Sequence, residues 1–136
     1  MSPRTESRRQ TIEQERAAQA ARDAQQIAAK SDEKAKNSYR DLTRKTAANI
    51  QLSGLGQTLA FLRAKAGPEH TNEHWWLYQH VSSWVTKQLQ QPDGDRDRLL
   101  EWIVTQDSNT YRRATTEALA YLGWLKRFAE ALLPEK

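Results

Sequence analysis

From Tyr111 to Leu132 the apolar side chains return every three or four residues: Tyr111, Ala114, Ala118, Leu122, Leu125, Ala129 and Leu132. Positions three and four apart share one face of an α-helix, so this run predicts a helix of about six turns. The same spacing recurs upstream. In "SGLGQTLAFLRAKAG", residues 53–67, Leu55, Leu59, Leu62 and Ala66 form a seam, and Gly67-Pro68 is a strong helix stop. Leu77, Val81, Trp84, Val85 and Leu89 make another stripe, and Leu99, Leu100, Ile103 and Val104 a short one. A charged stretch from Asp32 to Ala48, anchored by Tyr39, Leu42 and the following Ile50, reads as a helix. So does Thr11 to Lys30, whose apolar stripe is thin: Ile12, Ala20, Ala24, Ile27 and Ala28. No stretch alternates with period two for long enough to make a strand. The expectation is an all-α, single compact bundle of five or six helices in one domain over residues 1–136, with residues 1–9 a frayed tail. "QPDGD" reads as a turn whose Asp93 or Asp95 caps the short helix, and Ser108 as the cap of the last one.

A chain of 136 residues is long enough to bury a core without staples, and it has no cysteine, so disulfides and thiolate metal sites are excluded. It lacks the apolar core of a signal peptide and any run long enough to span a membrane, so a cytoplasmic protein without membrane contact is expected. Charge is uneven: residues 1–50 hold eleven Lys/Arg against seven Asp/Glu, whereas the remainder balances. That permits contact with nucleic acid without requiring it.

Two helices combine an apolar seam with an opposite face that is largely small or aromatic rather than charged. Opposite the seam of the last helix lie Arg113, Thr116, Ala120, Gly123, Trp124 and Arg127. Opposite the leucines after Gly54 lie Ala60, Phe61 and Ala64. A helix apolar on both sides is either central or serves a second interface, and the pattern favours the central position. Gly54 and Gly56, at the start of a leucine-rich helix, imply a turn and close approach of backbone to a neighbouring helix or a phosphate.

Several motifs suggest chemistry. "HTNEH" matches the H-x-x-E-H pattern of one zinc peptidase group, with His70 and His74 as ligands and Glu73 as base. It needs both histidines on one continuous helix: a cap at Thr71 or Asn72 would put His70 outside it, a helix starting at Pro68 would keep it, and no third ligand is identifiable. The match therefore reads as surface histidines, and no metal or cofactor is expected. "DGDRD" fails as a calcium loop because its sixth position is Arg98 and its twelfth Val104. Trp75, Trp76, Tyr78 and Trp84 could stack on bases, but large aromatics at helical spacing more often fill a core; Trp75 falls off the stripe and is the exception to expect. Arg40, Arg44 and Lys45 form a basic group on a charged helix, as a solvated face or as a contact for RNA. The residues on their own terms read as a helical binding or scaffold module and not an enzyme.

Two blocks carry a resemblance. Gly54-Leu55 with Gln57 to Phe61 is one. Tyr111, Ala114, Glu117 to Leu119, Leu122, Trp124, Leu125, Lys126 and Arg127 is the other. Together with the tryptophan-rich middle helix they resemble the small helical subunit of type III-B CRISPR interference complexes, the fifth protein of the Cmr (RAMP module) set. The resemblance implies a non-catalytic subunit that stacks with copies of itself along the backbone subunits. It would bridge toward the large polymerase-like subunit and help line the groove that holds guide and target RNA. Candidate RNA contacts are then Arg40, Arg44, Lys45, Arg112, Arg113, Lys126 and Arg127. Candidates for subunit contact or close packing are Gly54, Gly56, Ala60, Phe61, Ala64, Ala120, Gly123 and Trp124. The rival readings are a stand-alone helical interaction protein and, further off, the small zinc peptidase.

Overall fold

The computed structural model describes residues 3–89 and 97–133, with side chains from residue 11 onward. Six helices follow one another among the described residues: α1 Pro3–Ala28, α2 Glu33–Ser53, α3 Leu55–Ala66, α4 Glu73–Gln88, α5 Leu99–Ile103 and α6 Ser108–Leu132. None of the described residues forms a strand. The all-α bundle expected from the periodicity is what forms. Helix α1 already begins at Pro3, earlier than Thr11; proline is tolerated in a first turn, where its missing N–H has no helical partner anyway.

Side-chain caps set three of the helix starts. Asp32 accepts from the Ala35 N–H, Asn72 from those of His74 and Trp75, and Asp107 from that of Thr110. The cap of α6 is thus not Ser108 but the carboxylate one residue earlier, an anion at the positive end of the helix. The whole "QPDGD" turn, with Asp93 and Asp95, lies outside the described residues.

The seams meet in one core. Leu55, Leu59 and Leu62 of α3, Leu77, Val81, Trp84 and Val85 of α4, and Ala114, Ala118, Leu122 and Leu125 of α6 are all buried. Helix α1 packs mainly along α6, α2 bridges α6 and α4, and α3 lies on α4 and α2. Among its described side chains, the thin stripe of α1 supplies only Ala20, Ala24 and Ile27 as buried apolar anchors. Polar ties complete its docking, as set out below.

Three local expectations are corrected. Trp75 is in the core at 9% exposure, while Trp76 is the half-exposed one. The left-handed backbone of His70 (φ 57°) lays its ring flat on Trp75, 3.8 Å between centroids, with Tyr78 on the stack at 5.5 Å. On α6, Tyr121 belongs to the buried seam and Leu132 is partly exposed, with Leu133 buried in its place. Finally, α6 packs against α1, α2 and α4 yet, like α3, is not enclosed on both sides. Ala60, Phe61 and Ala64 are exposed on α3, and Arg113, Thr116, Gly123 and Arg127 on α6. Their second faces are left open by the chain itself.

Candidate nucleic-acid and subunit interface

The SGLG stretch is a helix–helix corner. Gly54 is at once the C-cap of α2 and the N-cap of α3, at φ 89°, ψ 161°, a region that only glycine occupies readily. Gly56 serves a different end: its N–H donates to the Tyr111 hydroxyl at 2.7 Å, and a Cβ there would stand 3.1 Å from that oxygen. The close approach foreseen for these glycines is therefore to the first turns of α6, not to a phosphate. The two sequence blocks that carry the resemblance touch at this point.

The basic candidates separate. Arg40 is 2% exposed and donates to the Leu133 carbonyl (3.2 Å) and to Asp41 (3.1 Å). It is a structural residue and not an accessible RNA contact. Arg44 is exposed and pairs with Glu130 at 3.0 Å, with Asp41 at 3.7 Å. Lys45 is exposed. On α6, Arg112, Arg113, Lys126 and Arg127 are all exposed, and none forms an ion pair with another described residue. Among the described residues, Arg113 and Arg127 make no salt bridge to a neighbouring helix.

The described carboxylates around that face, Glu13, Glu117 and Glu130, are engaged. Glu117 accepts two bonds from Arg16, at 2.8 and 3.0 Å, and one from the Trp84 indole at 2.9 Å. Burial pushes the Glu117 carboxyl up, but Arg16 and Trp84 more than offset it and hold it below the usual carboxylate value. Glu13 accepts from the Trp124 indole at 2.8 Å and from Arg16 at 3.3 Å. These bonds tie α1 to α6 and α4 and, among the described residues, leave the outer cations of α6 without a carboxylate partner. Between them, Ala120, Gly123, Trp124 and Arg127 line an open notch of about 260 Å³.

The remaining close-packing candidates, Ala60, Phe61 and Ala64, lie on the exposed face of α3 with Gln57. Phe61 is 43% exposed and meets only the edge of His74 among the aromatic rings, at 5.9 Å. Leu52 (86%) and Val104 (61%) add exposed apolar surface on the elements flanking α3.

The H-x-x-E-H match does not assemble a ligand pair. Asn72 caps α4, so His70 lies before the helix and is committed to Trp75, while His74 faces Phe61 and Glu73 (3.5 Å). Among the described residues, no group of three or more His, Asp or Glu could hold a metal ion.

Sequence reasoning missed a buried polar network. The Gln26 carbonyl oxygen accepts from His80 Nε2 at 2.8 Å, so His80 Nδ1 accepts the Tyr39 hydroxyl proton at 2.7 Å. Asp23 accepts from Tyr121 and from Gln19, and lies 3.9 Å from His80 Nε2. Burial lowers the His80 pKa, partly opposed by Asp23, and raises those of Tyr39 and Tyr121 well above the usual tyrosine value. Asp23 four residues before Ile27 on a mostly alanine stripe was the available signal, since a carboxylate on a buried face needs donors across the interface.

The comparisons with known proteins agree with this architecture. Residues 12–132 match the model of the CRISPR-associated Cmr5 family. A CRISPR system Cmr subunit Cmr5 from Thermus thermophilus is 32% identical over 99 residues, 71% of this chain and 76% of the relative. The X-ray crystal structure of a CRISPR-associated Cmr5 family protein, also from Thermus thermophilus, superposes with a TM-score of 0.68 at 28% identity, covering 88% of this chain and 95% of the other. With nearly its whole length matched by the family model and its helical architecture shared with a solved member, the chain belongs to the Cmr5 family of CRISPR-associated proteins.

Proposed function

We propose that this protein is the non-catalytic small subunit of a type III-B CRISPR RNA-guided complex. It stacks with copies of itself beside the backbone subunits, reaches toward the large polymerase-like subunit and helps line the groove for guide and target RNA. Family membership supports its place as a Cmr subunit. The observation that carries the finer reading is that two helices leave a small or apolar second face uncovered by their own chain. On α3 this is Gln57, Ala60, Phe61 and Ala64, without a charge among them; on α6 it is the notch and its cations. Exposed apolar residues clustered on one helix face mark contact surfaces. We assign the α3 face to subunit contact. Contacts to RNA in such an assembly need carry no sequence information, because guide pairing supplies it.

The test is affinity purification of the tagged chain from its native host. The expected result is co-purification of the other Cmr subunits with RNA, and loss of those subunits in a Phe61→Glu/Ala64→Glu variant that melts like the wild type. Full retention of the variant in the complex would remove α3 from the subunit contact. Purification of the wild type without any Cmr subunit would overturn the proposal. RNA cleavage that tracks with the pure chain and disappears in a folded point variant would overturn the non-catalytic role.

A further inference from the structure

The outer face of α6 carries a glycine that the fold does not use. Gly123 lies in the interior of a 25-residue helix, with no positive φ and nothing within 4 Å of where a Cβ would stand. Glycine there weakens the helix relative to alanine, and no packing inside the chain offsets the loss. Its surroundings point outward. Trp124 is fixed by its indole bond to Glu13 and stacks with Phe128 at 6.1 Å and 22°, so its polar tip is taken and its ring forms one wall of the notch. Arg127 forms another wall, and Arg113 lies on the same face, 14 residues earlier and roughly 21 Å along the axis. The carboxylates beside this face, Glu13, Glu117 and Glu130, are held by Trp124, Arg16 and Arg44. What remains among the described residues is unpaired positive charge on either side of a small aromatic recess.

We propose that the outer face of α6 is a track for single-stranded RNA, with phosphates held at Arg113 and Arg127 and one base seated over Gly123 against Trp124. The inference rests on the complex-subunit reading and adds the face and the base seat. A guanidinium suits both ends because it pairs with phosphate through a planar fork. The missing side chain at Gly123 lets a flat ring approach the helix backbone, and stacking on a tryptophan accepts any base because every base has a π-face. A protein occupant fits less well. A stable protein interface buries about 1,000 Å² or more, whereas this recess seats a single ring and is bounded by cations along the helix.

The test uses the full chain and two labelled probes, a short oligouridylate and an abasic oligoribonucleotide of the same length. Two folded variants separate the contributions. Gly123→Leu fills the notch on an open helix surface and keeps or raises the melting temperature, while Arg113→Glu/Arg127→Glu reverses the charge. The expected result is salt-sensitive binding of both probes by the wild type. Gly123→Leu then weakens oligouridylate about tenfold and leaves the abasic probe unchanged. The double reversal weakens both, and flattens the slope of log K against log salt by about 0.7 for each phosphate that is no longer neutralised. Absence of salt-sensitive binding by the wild type overturns the inference while leaving complex membership to the co-purification result. If Gly123→Leu binds both probes normally but drops out of the purified Cmr complex, the notch belongs to a protein partner and the base seat is wrong.

Discussion

The inner and outer faces of α6 both carry polar groups and behave differently. On the inner face each polar group answers another helix: Tyr111 caps the Gly56 N–H of α3, Glu117 receives Arg16 of α1 and Trp84 of α4, and Tyr121 meets Asp23 of α1. On the outer face Gly123, Arg113 and Arg127 answer nothing among the described residues. A glycine on the inner side is explained by a hydroxyl 3.1 Å from its missing Cβ; a glycine on the outer side is explained by nothing within 4 Å. Residue type alone therefore does not tell a structural glycine from one kept for an outside contact. The neighbouring atoms do.

The largest effect that sharpens this contrast is expected from Gly54→Ala/Gly56→Ala. Gly54 would be forced into a region that disfavours a side chain, and the Tyr111 hydroxyl would be pushed off the Gly56 N–H, for a loss of about 3 kcal/mol. Denaturant unfolding checks it, and a double variant as stable as the wild type would show both glycines to be merely tolerated. Next, Glu117→Gln removes the charge that holds Arg16 and should cost about 2 kcal/mol, as a charge-assisted bond does. The loss should register first as weaker hydrogen-exchange protection in α1, which has few apolar anchors.

A smaller effect is expected from pH. His80 is neutral in the fold, with its pKa depressed by burial below the roughly 6.5 of an unfolded chain. Its contribution is therefore fully present above the unfolded value and is lost as pH falls through the folded one. The melting temperature should drop between about pH 7 and about pH 5, and His80→Gln should flatten that drop. An identical pH profile in the variant would show that His80 plays no part in it. The depressed Glu117 carboxyl works in the same direction at lower pH: its stabilisation is present above the unfolded carboxylate value near about 4.3 and is lost below it.

The smallest effect has the opposite sign. Gly123→Ala should raise stability by about 0.5–1 kcal/mol, because the new methyl meets open space and the helix gains propensity. A loss of stability on that substitution would erase the difference between the two faces.

The sequence by itself determined the helical class, the seams on α3, α4 and α6 and the stop at Gly67-Pro68, and offered Thr71 or Asn72 as a cap that would exclude His70 from α4. These follow from periodicity and capping, which are properties of residues within a few positions of one another. It could not place Arg40, whose carbonyl partner at Leu133 lies 93 residues away, or the burial of Trp75 under a histidine in a left-handed turn. It also favoured central positions for α3 and α6. Whether the face of a helix is covered depends on which neighbours arrive, and α1 reached α6 along the Glu117 side, held there by Arg16. Tertiary structure alone decided that Gly56 would be closed off by Tyr111 and that Gly123 would stay open, because each outcome is set by atoms brought in from elsewhere in the chain or left absent.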